Sequence, residues 1–246
     1  MATTPAVLVS GLRKSFGDHE VLRGLEMTVP SGEVFALLGE NGAGKTTTLS
    51  ILATLLKPDA GTAMVAGYDV VREGAKVREA ITVTSQTTTI DPVLTGLENL
   101  TLIARLRHVP HPKRVAAQLI DQFGLDDAGA KAAGTFSGGM KRRLDIAMSL
   151  IGRPTVIFLD EPTAGLDPSG RRDIWAFVES LAAKGTTIVL TTQHMDEAAR
   201  LASTIALLHG GVIAALGDHR TICEIAGGAP DLETAFLTLT SRKDDE

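Results

Sequence analysis

The sequence predicts an α/β fold with a mainly parallel core sheet, an N-terminal antiparallel β layer and an all-α helical insert. Three features point there. Short β-like runs divided by turn residues fill the N-terminal region, helical periodicity without strands runs from Thr95 to Ile151, and a strand, helix, strand alternation resumes at Val156. That alternation implies parallel strands joined by crossovers.

Taken in order, Ala6 to Val9 and Glu26 to Val29 are β-like, with the turn residues Ser15-Phe16-Gly17-Asp18 between Leu12 and Val21. Val34-Phe35-Ala36-Leu37-Leu38 is a buried-strand run. A glycine-rich loop then opens a helix whose apolar residues are Leu49, Leu52, Ala53 and Leu56, and Pro58 is the expected stop. Ile81 to Thr84 is a further strand. Thr95 and Glu98 have capping-box spacing ahead of Leu100, Ile103 and Leu106. Pro112 opens a second helix of the insert, carrying Val115, Leu119 and Ile120 and ended by Gly124. A third follows Ser137-Gly138-Gly139, with Leu144, Ala147, Met148 and Ile151 on one stripe, closed by Gly152 and Pro154. Val156 to Leu159 and Thr186 to Thr191 read as strands around a helix containing Ile174, Phe177, Val178 and Leu181. Past Asp231 a short amphipathic segment leads to the charged end Arg242 to Glu246, expected to fray. The expected organisation is one domain over 1–246: a core with its β layer in 1–86 and 153–225, a helical subdomain in 87–152 and a tail in 226–246.

Composition narrows the function. With 246 residues, 44% of them apolar, the chain can bury roughly three quarters of its unfolded surface without disulfides or a structural metal. Its single cysteine, Cys223, excludes a disulfide framework and any multi-cysteine zinc site, and suits a reducing cytosol. The N-terminus has neither a basic cluster nor an apolar stretch, so the chain is expected to stay inside the cell. The longest apolar run, Ile205 to Leu216, is broken by His209, Gly210 and Gly211 and reads as a hairpin, since a membrane span needs about 20 apolar residues. A net charge of −5 and an aromatic share of 4% argue against a nucleic-acid partner.

Gly39-Glu40-Asn41-Gly42-Ala43-Gly44-Lys45-Thr46 matches G-x-x-x-x-G-K-[ST], with an apolar strand before it and an apolar-striped helix after it, which predicts a P-loop NTPase. Glycines let backbone N–H groups turn in on phosphates, the helix N-terminus adds positive partial charge, and Lys45 reaches the β- and γ-phosphates. Thr46 offers its hydroxyl to Mg²⁺. The run Val156-Ile157-Phe158-Leu159-Asp160-Glu161 is a buried strand ending in two carboxylates. Asp160 is placed to hold Mg²⁺, and Glu161 to accept a proton from the attacking water or to orient it. Ser137-Gly138-Gly139 makes a second helix N-terminus suited to an anion. It lies far from the first in sequence, and one phosphate chain can use both only from opposite sides, which calls for a second copy of the chain.

With Gln86, Gly165-Leu166-Asp167 and His194 added, these elements resemble an ABC transporter ATP-binding subunit along nearly the whole chain. Thr135 to Ala147 and Thr191 to Ala198 look most like the ATPases of daunorubicin-resistance-type drug exporters. The resemblance implies the ABC ATPase fold, with a RecA-like core, and ATP with Mg²⁺ as ligands. It places Gly39, Asn41, Gly42, Ala43, Gly44, Lys45, Thr46 and Thr47 on the phosphates, with Ser137, Gly138 and Gly139 contributed by the other copy. Phe16 would stack on adenine, although a phenylalanine in a β-turn also suits a core position. Gln86 would touch Mg²⁺ and the water and sense the membrane partner, and His194 would bond the γ-phosphate. Asp167 would face the opposite cradle, or simply cap the helix at Pro168. The other histidines, His19, His108, His111, His209 and His219, show no metal-ligand spacing. Met140 stands where many members carry Gln, which removes a side-chain hydrogen bond there, and Phe136 replaces the commoner Leu.

What the resemblance implies functionally is a homodimer around two ATP molecules at the cytoplasmic face of the membrane, powering export of a drug-like or lipophilic compound through separate permease subunits. Import, lipid or polysaccharide transport, and non-transport ABC ATPases are the alternatives.

Overall fold

The structure, a computed structural model, describes residues 4–84, 89–126 and 128–244, with side chains described through 241. Strands β1 (Val7–Phe16) and β2 (His19–Val29) form an antiparallel hairpin, and β4 (Ala60–Val65) and β5 (Tyr68–Asp69) extend it in the order β2-β1-β4-β5. Both N-terminal strands run well beyond the β-like stretches visible in sequence. Their alternating burial, with Val7, Val9 and Leu12 inward and Leu8 and Ser10 outward, is the mark of a half-buried sheet.

The second sheet holds β3 (Val34–Leu38), β6 (Ile81–Thr84), β7 (Val156–Asp160), β8 (Thr187–Thr192), β9 (Thr204–His209) and β10 (Val212–Gly217), in the order β10-β9-β3-β8-β7-β6. Every pairing in it is parallel except the β9–β10 hairpin, so the mainly parallel core sheet is present and Ile205–Leu216 is a hairpin. β3, β7 and β8 are buried at every position, as strands covered on both faces must be.

Around them lie α1 (Lys45–Leu52), α2 (Gly74–Ala80), α3 (Gly96–Leu106), α4 (Pro112–Gln122), α5 (Gly138–Ser149), α6 (Pro168–Ala182), α7 (Met195–Leu201), α8 (His219–Ile225) and α9 (Leu232–Asp244). α1 ends at Leu52, short of Pro58, because Thr54 turns into the left-handed region at φ 64°. The local signals in the insert fold as written. Thr95 and Glu98 close a full capping box on α3, His111-Pro112 starts α4, and Ser137 accepts the Met140 N–H to cap α5. The tail segment is α9, whose Leu232, Ala235, Phe236 and Leu239 are buried in the main core.

Pleating splits that core in two. Ala36, Leu38, Ile157, Leu159, Ile188 and Leu190 face the helices α3 to α6, while Phe35, Leu37, Phe158 and Val189 face α1 and the antiparallel sheet. The loops that follow β3, β7 and β8 leave from the carboxyl ends of adjacent strands, where open parallel sheets place their ligands.

Candidate functional site: a phosphate cradle beside two carboxylates

The loop from Gly39 to Gly44 joins the end of β3 to α1, and two of its glycines are sterically required. A Cβ at Gly39 would stand 2.4 Å from the Leu208 carbonyl, and one at Gly44 2.7 Å from Leu22 Cδ2. Gly44 is also the N-cap of α1, at φ 108°, a conformation that L side chains rarely adopt. The loop therefore turns tightly and leaves its N–H groups at a helix N-terminus, the arrangement suited to an anion.

Lys45, the first residue of α1, is only 5% exposed. Its Nζ donates to the carbonyls of Gly39 at 2.7 Å and Glu40 at 2.9 Å, and lies 3.7 Å from Glu161 Oε1. Burial pushes its pKa below the ordinary lysine value, against the opposing pull of the Glu161 and Asp160 carboxylates. The Thr46 hydroxyl meets both Asp160 oxygens, at 3.2 and 3.3 Å. Asp160, 6% exposed at the end of β7, also accepts the Thr191 hydroxyl of β8. Glu161 follows in the left-handed region at φ 46°, with its N–H directed to the Thr191 carbonyl and hydroxyl, each at 3.1 Å. Such a backbone costs a non-glycine residue roughly 1–3 kcal/mol and lasts only where the surroundings over-determine it.

A cavity of about 320 Å³ is lined by Asn41, Gly42, Gly44, Lys45, Thr46, Thr47 and Glu161, together with His19 and Val21 of β2. A neighbouring one of about 190 Å³ adds Ala43 and His209 to Gly211. A larger cavity of about 800 Å³, between α4 and the end of α6, contains none of the motif residues. The donor set fits Mg²⁺: Thr46 and Asp160 offer a hydroxyl and a carboxylate side by side, both hard oxygens. Among the described residues no group of three or more His, Cys, Asp and Glu could hold a metal.

Other expected site residues are arranged around this centre. Gln86 lies outside the described residues. His194 is the N-cap residue of α7, two positions beyond Thr192, whose carbonyl accepts the Gly39 N–H at 3.2 Å. Phe16 is 52% exposed at the end of β1, so it is not core, and Lys14 Nζ stands 5.6 Å from its ring centroid. Ser137 and Gly138 are exposed at the start of α5 and do not line the cradle of their own chain. Gly139 abuts Gly170 at the start of α6, where Asp167 caps the helix by accepting the Gly170 N–H at 2.8 Å.

Sequence reasoning placed Thr191 at a strand end but assigned it no role at the site, where its hydroxyl joins both carboxylate residues. It likewise assigned no site role to His19 and Val21, which reach the cavity from β2. The only available signal was their position just across the turn from Phe16.

A family profile described as ABC transporter matches residues 22–164. The daunorubicin/doxorubicin resistance ATP-binding protein DrrA of Streptomyces peucetius is 50% identical over 214 residues, which is 86% of this chain and 65% of that protein. The chain thus spans just under two thirds of that relative's length. The doxorubicin resistance ATP-binding protein DrrA of Mycobacterium tuberculosis is 47% identical over 232 residues, 89% of this chain and 70% of its own length. A solved structure of an ATP-binding subunit of an ABC transporter superposes with a TM-score of 0.85 at 28% identity, over 96% of this chain and 100% of that one. The glycine-bound cradle, the carboxylate pair at the neighbouring strand end and these matches agree, and the chain belongs to the ABC transporter family, with similarity to drug-resistance ATP-binding proteins.

Proposed function

We propose that this chain binds Mg²⁺-ATP and hydrolyses it, and that two copies close around two ATP molecules to drive export of a drug-like or lipophilic compound through separate membrane subunits. The observation that carries the chemistry is the convergence of Lys45, Thr46, Asp160 and Glu161 on one cradle at the N-terminus of α1.

In this reading the loop N–H groups and Lys45 hold the β- and γ-phosphates, and Phe16 offers the adenine an exposed ring. Mg²⁺, held by Thr46 and Asp160, would neutralise charge on the phosphate oxygens. Glu161 takes the proton of the water that attacks the γ-phosphorus, so that the new P–O bond forms as the bond to the ADP oxygen breaks. His194 and Gln86 are assigned to the γ-phosphate and to the water with its metal, respectively. Ser137, Gly138 and the free α5 N-terminus act on the nucleotide of the partner copy, with Asp167 facing the partner's cradle. Their exposure, and their absence from the lining of their own cradle, support this division. Because ATP would touch both copies only when they are closed, its differential affinity favours the closed pair.

Export is inferred from relatives whose names record daunorubicin and doxorubicin resistance. Separate membrane subunits are inferred from similarity to proteins described as an ATP-binding protein and as the ATP-binding subunit of an ABC transporter. The test is Glu161→Gln: ATP turnover should fall by about 10² or more while ATP affinity is kept. Turnover equal to wild type would remove Glu161 from the proposed chemistry.

A further inference from the structure

Beside the cradle lie three buried charged residues with no part in the phosphate contacts. Arg142 of α5 is 6% exposed. Its Nε donates to the Pro162 carbonyl at 2.8 Å, Nη2 to the Asp160 carbonyl at 3.3 Å, and Nη1 to Asp145 Oδ2 at 3.3 Å. Asp145, on the same helix and 3% exposed, accepts the Thr89 hydroxyl at 3.2 Å and the Thr89 N–H at 3.5 Å. On the other flank Glu197 of α7, fully buried, accepts the Thr163 hydroxyl at 2.8 Å and the Trp175 indole N–H at 3.1 Å, while its Oε2 has no hydrogen-bond partner among the described residues.

Burying such charges is costly, and well-packed apolar residues of similar volume often hold a fold as well or better. Stability is therefore a poor account of them. Two bonds from Arg142 and one to Glu197 converge instead on the short turn Asp160-Glu161-Pro162-Thr163. That turn holds Glu161 in its left-handed conformation, which needs such over-determination to persist.

We infer that Arg142 and Glu197 are positioning residues that grip the Asp160–Thr163 turn from two helices and so fix the Glu161 carboxylate where it takes the proton from water. Asp145 aims the guanidinium and ties it to Thr89, in the stretch that follows Gln86. The inference rests on the ATPase reading above. It gives two elements of that reading a physical line to the general base, since α5 is the helix opened by Ser137 and α7 the helix opened by His194. A misplacement of about 1 Å at a reacting group can cost about a hundredfold in rate, so a small shift of either helix matters.

The decisive variant replaces the pair together, Arg142→Met with Asp145→Leu, which leaves neither charge buried alone. Single-turnover ATP hydrolysis and equilibrium binding of ATP are measured on the full chain, in the wild-type and in the Glu161→Gln background. The expected results are a fall in hydrolysis rate of about tenfold or more with ATP affinity unchanged, and no further fall once Glu161 is already Gln. Arg142→Lys should recover part of the rate, because an ammonium can still reach a turn carbonyl, and Glu197→Leu, which removes the acceptor of the Thr163 hydroxyl, should slow hydrolysis in the same manner. A paired variant with wild-type rate overturns the inference. So does one that loses affinity along with rate, or whose loss persists undiminished on Glu161→Gln, since either marks a role in the fold alone. Wild-type protein that hydrolyses no ATP would instead defeat the ATPase reading, and the inference with it.

Discussion

Lys45 shows how a single side chain can be poised by its surroundings. Its ammonium is buried between two carbonyls and two carboxylates, and burial dominates, holding its pKa below the ordinary value of 10.5. Phosphates in the cradle would favour the charged form, so the pKa is higher in the complex than in the free protein. Between the two values binding takes up a proton, and affinity falls as pH rises through that window. Calorimetry of ATP binding in two alkaline buffers of different ionisation enthalpy should register this uptake, and Lys45→Arg, which stays protonated, should abolish it. Equal uptake in the arginine variant would move the titration elsewhere. Much at this scale was legible, because phosphate chemistry demands particular residue types at fixed spacing: Gly39, Gly44, Lys45, Thr46, Asp160 and Glu161 were each readable. The contact between Thr46 and Asp160 was not, since it is made between residues 114 positions apart by the parallel sheet. Arg142, Asp145 and Glu197 were also hidden, for a charged residue on a helix ordinarily marks its solvated face and only the fold turns these inward.

At the scale of elements, local rules predicted those that carry complete end signals. The α3 N-terminus has both halves of its capping box, with the Thr95 hydroxyl accepting the Glu98 N–H at 3.1 Å and Glu98 Oε2 accepting the Thr95 N–H at 2.8 Å. Thr95→Ala should accordingly lower unfolding free energy by about 1 kcal/mol, read from the midpoint of a urea titration at constant slope. A midpoint identical to wild type would show that the cap adds nothing. Elements held mainly by tertiary pairing were invisible. β4 is Ala-Gly-Thr-Ala-Met-Val, poor in β-formers, and exists because Val65, Met64, Ala63 and Thr62 pair with β1. β5 has two residues, and α2, α7 and α8 have seven each, too short for a periodic pattern to stand out. The end of α1 was misplaced for a related reason: its last apolar residues continue the stripe, but Thr54 leaves helical geometry before Pro58 can act.

Across the whole molecule, adjacency in the sheet does what sequence distance obscures. β3, β8 and β7 lie side by side, so the phosphate loop, the His194 turn and the Asp160–Glu161 pair issue from one edge although they span residues 39 to 194. The α/β architecture and its three layers were legible because burial on both faces writes continuous apolar strands and burial on one face writes stripes. The relation between one molecule and a second is written only in exposed parts: Ser137, Gly138 and Asp167 stand at the surface around the abutting ends of α5 and α6. If each ATP is held by the cradle of one copy and the α5 terminus of another, blocking hydrolysis should trap the pair. The most direct measurement is the molar mass of Glu161→Gln by light scattering, with and without Mg²⁺-ATP. The account predicts twice the chain mass with nucleotide and the single-chain mass without it, whereas a protein saturated with ATP and still of single-chain mass would contradict the shared site.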